Sequence, residues 1–451
     1  MGFKGIYYIR LFSYFRMPSS WLKIIAFYGL YLSARLGAEP EPIEGPPLLF
    51  TKDFIPAELQ AGERFELSPL GHVVNFGYEF RLSSDFGEFD IRGIDMLAER
   101  VHEIAVLDKL EEISKTKAFT TSFSEALKDP VVKSWSVARR PISSVIRIPG
   151  GILRYLQGKF YQVKRGSEKV VAKTKRKRKS DADKEESENR EKVDGTVKKV
   201  GTTTRKLSRR HFGFEKAKRA WARRLKVDPY STNEYLQLGL ERIAWASTVG
   251  SFAGEFGIPT NAVLSYTLQT QEMVWNQSAT ELERRNFVSL GNMGVEHSAL
   301  LVFNDLGTYT LTEKTLIVLA LENMEVEGRL SLVQLLMEAE SRDEAQMMVK
   351  LVTMFGNYHR LVHPINCFSI RRGLAVAELG DGSMILPLAL DYLHWTPEIT
   401  DALLSDALVG EDRTLWIEGV ASTIAKRRLE QCDWKLEENS SETFKWLATE
   451  L

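Results

Sequence analysis

The sequence predicts a multidomain α+β protein, and three observations lead to this fold class. Apolar residues alternate as in strands near both ends, helical periodicity fills the middle, and a charged segment with few large apolar residues interrupts the chain. With 451 residues, 44% of them hydrophobic, the chain is long enough for more than one core. We expect a signal peptide (1–38), an N-terminal α/β domain (39–163), a basic disordered linker (164–206), an α-helical domain (207–370) and a C-terminal α/β unit (371–451).

The N-terminus has the pattern of an export signal. Lys4, Arg10, Arg16 and Lys23 precede or open a short apolar run at 24–32, and small residues and then a Pro- and Glu-rich stretch follow. The run is shorter than the roughly 20 residues of a membrane-spanning helix. The alternative is a buried or interfacial apolar helix. We expect an exported protein that is periplasmic or peripheral to the cell envelope.

The N-terminal domain is predicted to contain strands followed by two helices. Residues 71–93 alternate between apolar and polar types around a turn-forming Ser-Ser-Asp, which indicates a β-hairpin or small meander. Residues 96–113 have helical periodicity, and a second helix is expected to start at Ser114 or Thr116 and to end before Pro130. Charged residues of the first helix fall largely on the predicted polar face: Glu99, Arg100, Glu103, Lys109 and Glu112.

Residues 141–161 combine apolar residues with isolated basic ones and contain no acidic residue. Such a segment can lie in a membrane interface. The alternative, which we favour, is a pair of short helices that pack on the N-terminal domain.

The region from 164 to 226 carries a strong positive charge within a chain that is neutral overall. It contains 24 Lys/Arg and 9 Asp/Glu, a net charge of +15, so the remainder carries −15. This asymmetry predicts contact with an anionic surface or polymer, or docking of the basic segment on the acidic body. A solubilising linker is the alternative. The predicted contact residues for an anionic membrane are Arg147, Arg154, Lys173, Lys175, Arg176, Lys177, Arg178 and Lys179.

The second half is predicted to be helical and then mixed. Residues 227–233 supply turn and N-cap residues, and residues 234–363 have strong helical periodicity, with Ser331 and Ser341 as expected N-caps. Two apolar runs flank Gly-Asp-Gly-Ser at 380–383, which indicates a hairpin. The later segments complete a ββαβαβ order, as in a small layered α/β or α+β unit.

Candidate catalytic or metal-binding residues are few. His359 and His363 lie one helical turn apart, with Cys367 four residues on, which is a spacing of metal ligands, but capping or surface histidines are the favoured interpretation. His394 is close in sequence to Asp391, which could orient it as a base, although a lone histidine near a strand end is usually structural. Phosphate-loop, dinucleotide-binding and serine-hydrolase motifs are absent, so we expect no metal and no cofactor and favour a protein that is not an enzyme.

Several segments resemble those of an uncharacterised family of predicted exported bacterial proteins. The resemblance implies export but carries over no activity, cofactor or catalytic residue. The segments are Phe80–Phe119, 149–151, Val227–Asn233, Pro387–Thr396 and Leu415–Ser422.

These observations favour an exported, non-enzymatic binding or scaffolding protein of the cell envelope. Its basic linker would contact an anionic membrane or polymer, and a protein partner is compatible with the same surface. One alternative is a hydrolase with its site between the helical domain and the C-terminal unit. Another is a nucleic-acid-binding protein, which is expected only if the chain is not exported.

Overall fold

The computed structural model describes residues 43–126, 213–249, 268–410 and 412–450. Within these ranges the protein has a mixed α/β fold. The predicted signal peptide, the segment 141–161 and the basic linker lie outside the described residues, as do all the predicted membrane-contact residues between Arg147 and Lys179. No helix of the described part is both long and apolar enough to cross a membrane.

An antiparallel sheet opens the described chain. Its strands follow the order β1-β4-β5-β3-β2, and β6 pairs with β5. Side chains alternate across it, so Val73, Tyr78, Phe80, Leu82 and Ile91 form a core on one face. The predicted meander is therefore present. The strands are β1 (Leu48–Phe50), β2 (Ala61–Gly62), β3 (Phe65–Leu67), β4 (Leu70–Val74), β5 (Gly77–Ser84) and β6 (Gly87–Arg92).

Helices form much of the remaining structure, and two of them start at predicted caps. Thr116 Oγ1 accepts a hydrogen bond from the N–H of Phe119, and Asn233 Oδ1 accepts from the N–H of Tyr235. The helices are α1 (Ala57–Gln60), α2 (Ile94–Ser114), α3 (Lys117–Ala126), α4 (213–225), α5 (Glu234–Val249), α6 (Leu268–Asn276), α7 (Ala279–Asn292), α8 (His297–Asp305), α9 (Leu311–Glu322), α10 (Arg329–Leu336) and α11 (Arg342–Leu361).

One of the two cap predictions in the central helices is correct. Ser341 caps α11 as predicted, and it forms a capping box with Glu344. The prediction for Ser331 is wrong, because α10 starts two residues earlier behind Gly328, which has a left-handed backbone (φ +79°). A Cβ atom at Gly328 would lie 2.0 Å from the Phe368 carbonyl oxygen, so close chain packing, not a serine cap, sets this helix start.

A five-stranded mixed sheet completes the fold, in the order β13-β11-β9-β8-β7. Strands β7, β8 and β9 form an antiparallel meander, whereas β9, β11 and β13 run parallel. The sheet has one strand more than the predicted order, because β7 precedes the predicted hairpin. Its strands are β7 (Cys367–Arg371), β8 (Leu374–Glu378), β9 (Met384–Leu388), β11 (Arg413–Ile417) and β13 (Trp434–Glu437).

Helices and a short strand pair connect the parallel strands. Helix α12 (Pro397–Leu403) lies between β9 and β11, and α13 (Thr423–Gln431) lies between β11 and β13. Strands β10 (Tyr392–Leu393) and β12 (Val420–Ala421) pair in parallel, and α14 (Ser440–Glu450) ends the chain. The largest apolar core joins α8–α11 to this sheet.

Candidate functional site

A cavity of about 380 Å³ lies beside the carboxyl ends of β9 and β11. Its walls also include the end of β6, the start of α2, and one face of α11. In open α/β sheets, ligands bind outside the carboxyl ends of parallel strands, so this cavity is at the position where the fold favours a site.

The Lys350 side chain lies in the cavity wall among three carboxylates. Its Nζ atom is 3.7 Å from Asp391 Oδ1 and 3.8 Å from Asp95 Oδ2, and it donates a hydrogen bond to Glu418 Oε2. Asp391 and Glu418 follow the parallel strands β9 and β11, Asp95 is in the first turn of α2, and Lys350 is on α11. One ammonium group therefore connects three separate parts of the fold.

Backbone contacts fix Asp391 in this cluster. Its Oδ2 atom accepts a hydrogen bond from the Tyr78 N–H at 2.8 Å, and its own N–H donates to the Phe76 carbonyl at 3.0 Å. Gly419 lies so close that a Cβ atom there would be 1.8 Å from the Asp391 carbonyl oxygen. The position of the Asp391 carboxylate is thus determined by the N-terminal sheet and by the chain after β11.

Electrostatics keep Lys350 in its charged form. Burial alone would lower the pKa of Lys350, but the carboxylates of Glu418, Asp391 and Asp95 outweigh this effect and raise it. Burial raises the pKa of Glu418, while the neighbouring ammonium opposes the rise. Lys350 is therefore a fixed positive charge rather than a neutral amine that could act as a nucleophile.

A second cation of the cavity wall is also neutralised within the protein. Arg92, at the end of β6, donates a hydrogen bond to Asp343 Oδ2 at 2.7 Å and another to Glu79 Oε1. Next to it, Gly93 has a positive φ of 82°, and a Cβ atom there would be 3.5 Å from Lys350 Nζ. A glycine at this position lets the chain turn into α2 close to the charged cluster.

Glu99 is a buried carboxyl group of the cavity wall. Its exposed fraction is 5%, and among the described residues it has no hydrogen-bond or ion-pair partner for its side chain. Burial, followed by the nearby Glu103 carboxylate, raises the pKa of Glu99 to about 8. A buried ionisable group with a strongly shifted pKa in a cavity is typical of a functional site.

In contrast, both carboxylate oxygens of the neighbouring Glu103 accept hydrogen bonds. It accepts hydrogen bonds from Arg100, from the Ser231 hydroxyl, and from Asn233 Nδ2 at 2.9 Å. The prediction that Glu99, Arg100 and Glu103 lie on a polar face of α2 is wrong, because all three are buried. Ser231 and Asn233 of the segment 227–233 contact Glu103 on this side of the helix.

The same buried region contains Asp228. Its carboxylate accepts a hydrogen bond from Thr312 Oγ1 at 2.7 Å and one from the Tyr230 N–H at 2.8 Å. Burial raises the pKa of Asp228 to about 6. The carboxylates of Asp228 and Glu103 therefore both act on Glu99.

Flexible apolar side chains form another part of the cavity wall. Met347, Met354 and Phe444 are buried, and Met96 is partly buried against the N-terminal core. Methionine side chains adapt their shape to irregular partners, so this part of the wall can follow an apolar ligand.

The structure brings only one of the four predicted catalytic candidates to the cavity wall. Asp391 lines it, whereas His359, His363 and His394 are not among the lining residues. His359 Nδ1 accepts a hydrogen bond from the Ile365 N–H, and His363 is exposed next to Pro364.

His394 is buried, and its ring centroid lies 4.7 Å from that of Phe76. Burial lowers the pKa of both His359 and His394. The described residues contain no group of three or more His, Cys, Asp or Glu arranged to hold a metal ion. Cys367 and Cys432 are not joined by a disulfide bond.

Sequence reasoning missed Lys350, Asp95, Glu99 and Glu418. A signal existed for Glu418, because it is the last residue of a strand predicted at 414–418, while Asp391 directly follows the predicted apolar run 384–390. Lys350 and Glu99 have no such signal, since each lies within a helix whose buried side depends on distant segments.

The fold and the site together define a mixed α/β protein with a charged cavity at the carboxyl edge of parallel strands. Comparisons with protein-family models, with curated proteins and with solved structures give no match.

Proposed function

We propose that this is a non-enzymatic binding protein that takes a small, partly apolar organic molecule into the cavity beside Lys350. The observation that carries the proposal is the buried Glu99 carboxyl group, which lines this cavity without a partner among the described residues. The volume of about 380 Å³ falls in the range of roughly 300–1,000 Å³ that is typical of small-molecule sites.

The charged cluster supports binding over covalent catalysis. Lys350 is protonated and held by Asp391, Asp95 and Glu418, so its role is to join the walls of the cavity. We also propose that the chain is divided into an N-terminal domain, a helical domain and a C-terminal unit. Elements of all three parts line the cavity.

Thermal-shift measurements on the full chain test this proposal. A panel of small amphiphilic molecules of roughly 10–20 non-hydrogen atoms is expected to contain members that raise the melting temperature. Gln346→Trp, which fills the cavity from α11, should abolish these shifts, whereas Leu238→Trp on the exposed face of α5 should retain them. A panel without any stabilising member, or equal shifts in both variants, would refute the proposal.

The basic region 164–226 supports a second proposed function. Its net charge of +15 between 164 and 226 favours attachment of the protein to an anionic membrane or envelope polymer. Co-sedimentation of the full chain with anionic liposomes should be strong at low salt, weak at high salt, and absent with neutral liposomes. A variant with six basic residues replaced by Gln should no longer bind the liposomes; the residues are Lys173, Lys175, Arg176, Lys177, Arg178 and Lys179. Binding that does not depend on salt, or that persists in this variant, would contradict the function.

A further inference from the structure

We infer that the ligand of this cavity carries a protonated amine, which forms an ion pair with the Glu99 carboxylate. The inference rests on the proposed binding function and names the chemistry of the ligand. Most charged groups of the cavity wall already have partners within the protein.

The two buried or half-buried cations of the wall are neutralised. Lys350 contacts Glu418, Asp391 and Asp95, and Arg92 contacts Asp343 and Glu79. The other two basic residues of the wall, Arg360 and Lys445, are exposed to solvent. The cations that a ligand anion could contact are therefore either paired with carboxylates or exposed to water.

The acidic residues of the wall differ from one another, because some are paired with cations of the protein and Glu99, among the described residues, is not. Glu313 accepts hydrogen bonds from Arg342, at 2.6 Å for its Oε1 atom, and Asp343 is held by Arg92. Glu99 has no equivalent partner in the described part of the chain. Because a buried carboxylate without a counter-ion is costly, unliganded Glu99 keeps its proton, and a cationic group beside it would stabilise the ionised form.

The groups that face Glu99 from the surrounding elements are mostly negative. Arg100 is a cation on the same helix, but it is hydrogen-bonded to Glu103. Asp228 from the segment after α4 and Glu313 from α9 add negative charge. This environment attracts a ligand cation and repels a ligand carboxylate or phosphate.

The methionines and Phe444 indicate what else the ligand carries. Met96, Met347 and Met354 line the same cavity, and they offer an adaptable apolar surface to an alkyl or aromatic group. The combination fits an amphiphilic amine, whose ammonium meets Glu99 and whose apolar part meets the methionines.

Three compounds with the same alkyl chain isolate the contribution of the charged group. Isothermal titration calorimetry compares n-hexylamine, n-hexanol and hexanoate on the full chain. The amine should bind about ten- to a hundredfold more tightly than the alcohol, as expected for one charge-assisted hydrogen bond, and hexanoate should bind most weakly. Glu99→Gln should abolish this preference, whereas Glu99→Asp should keep part of it, and the exposed Glu296→Gln is the matched control.

The results separate this inference from the binding function. If the alcohol or the acid binds as well as the amine, or if Glu99→Gln retains the preference, the inference is overturned while the cavity remains a binding site. If none of the three compounds binds, the inference also fails, and the thermal-shift panel alone decides on the binding function.

Discussion

Lys350 Nζ lies 3.7 Å from Asp391 Oδ1, while the other carboxylate oxygen of Asp391 accepts a hydrogen bond from the Tyr78 N–H at 2.8 Å. Helix α11, the C-terminal sheet and the N-terminal sheet therefore meet at a single aspartate. This relationship explains how a cavity persists between elements that are distant in sequence, because its walls are held together by charged groups rather than by apolar contacts alone.

Removal of the ammonium group should destabilise the protein strongly. Lys350→Ala leaves the carboxylates of Asp391, Glu418 and Asp95 close together without their cation, and we expect a loss of about 3 kcal/mol in the free energy of unfolding. The exposed pair of Lys435 and Asp412 provides the control, because Lys435→Ala should cost less than about 1 kcal/mol. Urea unfolding measures both, and equal losses would contradict the role of the cluster.

The close approach of Gly419 to Asp391 predicts a steric effect. A Cβ atom at Gly419 would overlap the Asp391 carbonyl, so Gly419→Ala should lower the free energy of unfolding by about 3 kcal/mol. A Cβ atom at Gly380 would meet nothing within 4 Å, and Gly380→Ala should be nearly neutral. Thermal unfolding distinguishes the two, and a tolerated alanine at Gly419 would show that the backbone here is not fixed.

The buried carboxylate of Glu103 should be essential for folding stability. Glu103→Ala removes the acceptor for Arg100, Ser231 and Asn233 and leaves a buried cation, so we expect a loss of about 3–5 kcal/mol. Glu112→Ala, on the exposed side of the same helix, should cost less than about 1 kcal/mol. Similar unfolding midpoints for the two variants would show that this network does not stabilise α2.

The raised pKa of Glu99 predicts how stability depends on pH. The pKa is about 8 in the folded protein against 4.5 for a free glutamate, so the folded state binds this proton more tightly. The resulting stabilisation is complete below about pH 4.5 and is lost as the pH rises through about 8.

Glu99→Gln removes this dependence. Compared with the wild type, the variant should gain more than about 2 kcal/mol in relative stability between pH 5 and pH 8, since one pKa unit corresponds to about 1.4 kcal/mol. Urea unfolding at several pH values measures the difference, with the exposed Glu296→Gln as control. A difference that does not change with pH would contradict the shifted pKa.

Local patterns predicted most of the regular structure. The meander β4–β6, helices α2, α3 and α11, the β8–β9 hairpin and the parallel strands β11 and β13 all follow from periodicity, turns and caps. Strand β7 was missed because its five residues alternate weakly and its start pairs with the segment before α10.

The site was much harder to predict than the elements that build it. Asp391 was a candidate because of its neighbour His394, yet in the structure its partners are Lys350 and Tyr78. Glu99 is predicted on a polar face, since no local pattern shows that this side of α2 is buried. Both errors have one physical cause: contacts between distant segments decide which charged side chains are buried.

Proton release on ligand binding tests the central claim most directly. With a pKa of about 8, Glu99 is mostly protonated at neutral pH and must ionise to pair with an amine. Titration of n-hexylamine at pH 7 in two buffers of different ionisation enthalpy should therefore show the release of close to one proton. Binding without proton release, or release that persists in Glu99→Gln, would contradict the account.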